Sequence, residues 1–193
     1  MAVKTHLQPP LTPSRRRGSA PVPYGADVIW EHHLADALLA AGVDAGAYVP
    51  DARLRKVVSR LEDGELPLRC LTREEECIAY ACGQSAAGGR PVVLMQCSGL
   101  GNALNAIGSL MIPYRIGVPL IISMRGTLGE GNPSQVPMGR ATVPILEALG
   151  VQTFPVRDTT TAEAVAAGVT RLAFEAHSPA AAILEPELGS QRE

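Results

Sequence analysis

A chain of 193 residues can bury one substantial core but not two, and its 46% hydrophobic but only 4% aromatic composition requires that core to be aliphatic, as in parallel sheets covered on both faces. A formal net charge of −2 offers no electrostatic footprint for nucleic acid or an anionic lipid surface. No apolar run approaches the ~20 residues needed to span a bilayer, so a soluble, cytoplasmic protein is expected.

Residues 1–23 stand apart in composition from the rest of the chain. They hold Pro9, Pro10, Pro13, Pro21 and Pro23, the basic run Arg15-Arg16-Arg17 and no acid, with no apolar core of a secretory signal. A disordered or loosely docked tail is expected there, one folded domain over 24–188, and a short tail over 189–193.

The spacing of Val28, Leu34, Leu38 and Leu39 predicts a helix over 27–41, stopped by Gly42. An apolar piece over 45–49 reads as a strand ending at Pro50-Asp51, and helix signals return over 52–61. A brief strand is predicted over 66–71. Thr72 then opens a helix to about 87, with Glu74 and Glu75 in its first turn as in a capping box. The runs PVVLMQ at 91–96 and PLIISM at 119–124 read as buried strands, separated by a small-residue helix over 99–111. A glycine-rich loop over 126–137 leads into a helix to about 149. A strand over 151–156, a helix over 161–176 and a strand over 180–184 close the pattern. Strand and helix alternate some six times without a hairpin signal, which predicts a doubly wound parallel α/β sheet with helices on both faces.

Cys70, Cys77, Cys82 and Cys97 form no CxxC pair, and the adjacent His32 and His33 point in different directions on a helix. Reduced thiols are expected, and no metal site.

Open parallel sheets gather ligands at the carboxyl ends of their strands. The residues just past the predicted strands are Pro50 and Asp51, Arg73 and Glu74, Ser98 to Asn102, and Arg125 to Gln135. Glycines at 99 and 101 after a strand admit a dinucleotide reading, with Arg125 as a 2′-phosphate contact, but Leu104 stands where that fingerprint needs a small residue. The same glycines could serve only a tight turn, and Glu74-Glu75-Glu76 only a solvated first helical turn.

In combination these stretches resemble the thiamine-diphosphate enzymes. Thr72-Arg73-Glu74-Glu75-Glu76, with Gly83 nine residues beyond Glu74, is similar to their glutamate motif, and Gln96-Cys97-Ser98-Gly99-Leu100-Gly101-Asn102 to their Ser-Gly-x-Gly turn. Val49-Pro50-Asp51, Arg125-Gly126 and Pro137-Met138-Gly139 extend the resemblance to the sulfopyruvate and phosphonopyruvate decarboxylase group. The likeness runs from about residue 26 to 185. It implies a pyrimidine-binding domain in which Glu74 is the catalytic residue, hydrogen-bonding the ring nitrogen of the cofactor's aminopyrimidine. Glu75 takes that place if the spacing slips by one. Pro50, Gly99 and Asn102 would flank the cofactor. Asp51, Ser98, Arg125 and Gln135 would face the substrate, the guanidinium gripping a sulfonate or phosphonate through paired hydrogen bonds. A structural salt-bridge partner is the other reading of Arg125. Ala52 and Met124 depart from residues common in the family, which bears on substrate identity.

The resemblance also implies a missing half. These enzymes hold the diphosphate through Mg²⁺ in a second domain with a Gly-Asp-Gly motif and a downstream Asn. Here the nearest sequence is Glu62-Asp63-Gly64, with no suitable Asn. A beta subunit carrying that domain, in an α2β2 or larger assembly, is therefore expected to complete a 2-oxo acid decarboxylase. Its substrate would be 3-sulfopyruvate or 3-phosphonopyruvate. A non-catalytic scaffold of the same fold and an NADP-binding oxidoreductase domain are the alternatives.

Overall fold

The computed structural model describes residues 29–188, so the expected tails over 1–23 and 189–193 lie outside the described residues. Among the described residues six strands form one sheet: β1 (Ala45–Tyr48), β2 (Leu68–Cys70), β3 (Pro91–Gln96), β4 (Pro119–Ser123), β5 (Gln152–Val156) and β6 (Ala180–Leu184). Every pairing is parallel, in the order β2-β1-β3-β4-β6-β5. The chain moves from β1 outward to β2 and then back across β1 to β3, so a topological switch point lies between β1 and β3. That is where doubly wound sheets open a crevice at their carboxyl edge.

The helices are α1 (Trp30–Ala40), α2 (Arg55–Asp63), α3 (Glu74–Ala86), α4 (Leu100–Ala106), α5 (Val136–Ala148) and α6 (Thr159–Ala176). Successive side chains of a strand point to opposite faces, and the aliphatic strands serve two cores in this way. Val92 and Leu94 join Leu34, Leu38, Val57, Leu61 and Val169 beneath α1, α2 and α6. Val93 and Met95 join Ile78, Ala81, Leu100, Ile107 and Leu146 beneath α3, α4 and α5. Each fully buried Leu or Ile contributes about 1.5–3 kcal/mol, which is why short runs such as AAAIL hold central positions.

Three boundaries differ from the expectation. Helix α2 begins at Arg55 rather than at 52 because residues 51–54 form a turn closed by Leu54 N–H to the Asp51 carbonyl. Arg53 in that turn donates to the carbonyls of Glu185 and Leu188 and lies over Trp30, which ties the turn to the end of the domain. The helix expected over 99–111 is three pieces: a 3₁₀ turn at Cys97–Gly99, α4, and a wider π turn at Ile107–Met111, across which Ile107 and Met111 both stay in the core. The edge strand β2 is short because Pro67 has no N–H to give. Its carbonyl still accepts from Gly46.

No helix among the described residues is long and apolar enough to cross a membrane.

Candidate active site

The three consecutive glutamates that open α3 have three different jobs. Glu76 turns back, and its carboxylate accepts from the Thr72 N–H (3.3 Å), the Thr72 hydroxyl (3.0 Å) and the Arg73 N–H (3.2 Å). This is the returning half of a capping box, with Arg73 rather than Thr72 at the N-cap. Glu75 turns to Arg73, 2.5 Å away, and that hydrogen bond holds its carboxyl below the usual glutamate range. Glu74 alone crosses to the turn after β3.

There Asn102 Nδ2 donates to Glu74 Oε2 at 3.2 Å. Glu74 Oε1 lies over Gly99, where an added Cβ would stand 1.9 Å from that oxygen and 2.0 Å from the carboxyl carbon. Any side chain at 99 would therefore expel the carboxylate. The glycine is required by this close approach, since its φ of −86° suits other residues. Among the described residues Oε1 accepts no hydrogen bond, which leaves one oxygen of a half-buried carboxylate open to a ligand.

A second group joins the carboxyl ends of three strands. Asp51, just past β1, accepts from Gln96 Nε2 at the end of β3 (2.9 Å) and from Ser123 Oγ at the end of β4 (2.5 Å). Ser98 Oγ in turn donates to Gln96 Oε1 at 2.7 Å. Asp51 and Pro50 also line a cleft of about 460 Å³ with Tyr48, Ala52, Arg55 and Glu62.

A third group is the loop after β4. Arg125 forms a two-pronged pair with Glu130, both contacts 2.7 Å, and Glu130 also accepts from the Gly126 N–H (3.2 Å) and the Asn132 N–H (3.0 Å). With its side chain only 8% exposed and four donors around it, Glu130 is held down at about pKa 2, chiefly by the Arg125 hydrogen bonds. Gly126 has φ +78°, and an added Cβ would meet the Gln135 carbonyl oxygen at 2.3 Å, so the loop folds tightly back on itself. Gln135 ends a 3₁₀ turn (Pro133–Gln135), and its Oε1 is buried without a hydrogen-bond partner. The Arg125 N–H meets Cys97 Sγ at 3.2 Å, which links this loop to the turn carrying Ser98 and Gly99.

The structure thus brings Glu74, Gly99 and Asn102 into direct contact. It places Asp51 and Ser98 in one hydrogen-bond network and sets Pro50 beside Asp51 in the cleft. Arg125 and Gln135 sit together in the loop after β4, with the guanidinium already engaged by Glu130. Sequence reasoning gave no role to Gln96, Ser123 or Glu130. The available signal for the first two was a single polar residue closing an otherwise apolar strand at its carboxyl end. For Glu130 it was the lone acid in a glycine-rich loop following an arginine.

The thiols are free: Cys70 is exposed and the other three are buried. Burial pushes Cys77 up to about 12 and Cys82 up to about 11, so neither has the thiolate character of a nucleophile. Among the described residues no cluster of His, Cys, Asp and Glu could hold a metal ion.

Residues 30–125 match the family described as thiamine pyrophosphate enzyme, N-terminal TPP binding domain. A sulfopyruvate decarboxylase subunit alpha from Methanococcus maripaludis is 37% identical over 150 residues, 77% of this chain and 90% of that one. A sulfopyruvate decarboxylase from Methanosarcina acetivorans is 32% identical over 158 residues, covering 82% of this chain but only 40% of that one. Among solved structures, a 2-oxoglutarate:ferredoxin oxidoreductase from Magnetococcus marinus superimposes with a TM-score of 0.60 over 83% of this chain and 29% of that one, at 12% identity, a likeness of fold alone. These similarities favour neither the scaffold nor the NADP reading. The glutamate motif, the Gly99 turn and near end-to-end similarity to an alpha subunit agree: this chain belongs to the sulfopyruvate decarboxylase alpha-subunit family of thiamine-pyrophosphate enzymes.

Proposed function

We propose that the chain is the pyrimidine-binding subunit of a two-chain, thiamine-diphosphate-dependent decarboxylase. It acts in the cytoplasm on 3-sulfopyruvate or 3-phosphonopyruvate, releasing carbon dioxide and the corresponding aldehyde. The observation that carries this reading is the Glu74 carboxylate, fixed by Asn102 through one oxygen and left open at the other over a wall that has no Cβ. A flat aromatic ring presenting a protonated nitrogen fits such a corner. Glu74, Gly99, Asn102 and Pro50 are accordingly assigned to the aminopyrimidine side of the cofactor.

When bound, thiamine diphosphate supplies the electron sink for the carbanion left by loss of carbon dioxide. This chain contributes binding and proton placement. Glu74 Oε1 holds a proton against the pyrimidine ring nitrogen, and Asn102 keeps the carboxylate from rotating away. Gly99 gives that carboxylate room to sit against the turn after β3. Asp51 and Ser98 approach the substrate from the ends of β1 and β3, and Arg125 and Gln135 from the loop after β4. Glu130 holds two of the five Arg125 N–H donors, and a substrate anion would meet the remaining ones.

The diphosphate and its Mg²⁺ are assigned to a beta subunit, in an α2β2 or larger assembly. The match to only 40% of the Methanosarcina acetivorans relative supports that division, because it leaves room in that longer chain for a second domain.

Replacing Glu74 by Gln keeps the shape and the Asn102 contact but removes the proton acceptor. Turnover by the complex reconstituted with its partner should fall by about 10²–10⁴-fold, the range for losing a positioned acid–base group. Circular dichroism and partner binding should stay as in the unmodified chain. An unchanged rate would sink the assignment of Glu74 and, with it, the proposed function.

A further inference from the structure

We infer that Gln96 and Ser123 are positioning residues of this site: they fix the Asp51 carboxylate across the ends of β1, β3 and β4 and commit the Ser98 hydroxyl proton to Gln96, so that the Asp51 and Ser98 side chains offer a ligand acceptors only. The inference deepens the proposed function, since it rests on Asp51 and Ser98 facing the substrate.

The polarity of the network follows from valence. A carboxylate only accepts, so the Gln96 group 2.9 Å from Asp51 Oδ1 has to be the NH₂, which fixes the amide. That orientation turns Gln96 Oε1 toward Ser98. A carbonyl oxygen also only accepts, so the hydroxyl 2.7 Å away has to donate. Ser123, 1% exposed, spends its only proton on Asp51 Oδ2 at 2.5 Å. Both serine hydroxyl protons and the Gln96 N–H facing Asp51 are thereby placed.

Exposed Ser98 is left with lone pairs facing outward, and Asp51 with lone pairs and negative charge. Neither can receive the carboxylate, sulfonate or phosphonate of a substrate without first breaking a network bond. The groups that fit these two side chains are N–H or O–H donors, and the substrate's second anion has to be gripped by other groups. Positive charge is at hand: Arg53 and Arg125 lie within electrostatic reach of Asp51, and Arg55 lines the same cleft, opposed there by Glu62. Gln96 and Ser123 therefore govern how fast bound substrate reacts rather than how tightly its anion is held.

The test uses the complex reconstituted with partner subunit, thiamine diphosphate and Mg²⁺, turning over whichever sulfonated or phosphonated 2-oxo acid it accepts. Ser123→Ala and Gln96→Leu should each lower kcat about tenfold, the scale of losing one hydrogen bond to a charged group, with KM within about twofold. Ser123→Thr restores the hydroxyl and should recover most of the rate. If Thr cannot be accommodated in that buried position, half-buried Gln96 carries the test through the same kcat and KM pair. Unchanged kcat in Ser123→Ala and Gln96→Leu, or a rise in KM without loss of kcat, overturns the inference.

Asp51→Asn separates the two levels. A slow Asp51→Asn enzyme upholds the proposed function whatever happens at 96 and 123. Wild-type rates in Asp51→Asn remove Asp51 from the site and overturn the inference while leaving the role of Glu74 standing. A complex that releases no carbon dioxide from either acid overturns both.

Discussion

The corner at Glu74 and the loop at Arg125 lie at the same edge of the sheet and both present charge, yet they are finished to different degrees. At Glu74 one carboxylate oxygen is bound by Asn102 and the other has no donor among the described residues. At Arg125 the guanidinium meets Glu130 through two nitrogens, and Glu130 is saturated by two backbone N–H groups as well. The unbonded Glu74 oxygen is not sealed from solvent, whereas the Glu130 carboxylate is paired and saturated inside its own loop. The comparison separates a corner with an open carboxylate oxygen from a loop that has internalised its own counter-ion. Arginine beside a glycine-rich loop reads the same in sequence in either case.

The sharpest way to break the comparison is at Gly99. Gly99→Ala puts a Cβ 1.9 Å from where Glu74 Oε1 now lies, so the carboxylate must leave the corner. The backbone at 99 suits alanine, so folding should be nearly untouched. Turnover of the complex should drop by about 10²-fold, the cost of misplacing a catalytic group by an ångström or more. Comparing kcat with the thermal midpoint checks this, and full activity would mean that Glu74 does not act from this position.

Glu130 sharpens the other side. Glu130→Ala releases the guanidinium and leaves the Gly126 and Asn132 amides without their acceptor. Those two amides should exchange with deuterium about tenfold faster, as expected when a local hydrogen bond worth about 1.4 kcal/mol is lost. If Arg125 also serves the substrate's anion, the same variant should alter KM while kcat changes less. Unaltered exchange would show that the loop is held by its tight glycine turn rather than by the ion pair.

Most of the fold was legible because its causes are local. Runs such as PVVLMQ and AAAIL are too apolar for anything but doubly covered strands, and their alternation with helical spacing permits a parallel sheet and little else. What escaped was set by contacts distant in sequence. The late start of α2 follows from the turn over 51–54, whose Arg53 side chain is held by carbonyls more than 130 residues away. The site divides along the same line. Glu74, Gly99 and Asn102 could be picked out by motif, Glu74 by its nine-residue spacing to Gly83, where a slip of one residue would have chosen Glu75. Gln96 and Ser123 matter only because the sheet order places the ends of β3 and β4 beside Asp51. Glu130 could be seen as an acid in a loop, while its partner could be known only once the loop had closed.

The smallest expected effect concerns acid. Glu130 has a folded-state pKa of about 2 against about 4.3 for an unperturbed glutamate. A depressed carboxyl stabilises the loop fully above the unfolded value, and the contribution fades as pH falls from about 4 toward 2. Protection of the Gly126 and Asn132 amides, corrected for intrinsic exchange, should therefore be flat from neutral pH down to about 5 and decline only below about 4. In Glu130→Gln the low-pH decline should disappear, because the amide still accepts hydrogen bonds but does not titrate. A change in protection near pH 6 would mean that some group other than Glu130 controls the loop. The contrast between a self-contained loop and an open corner would then have to be redrawn around that group.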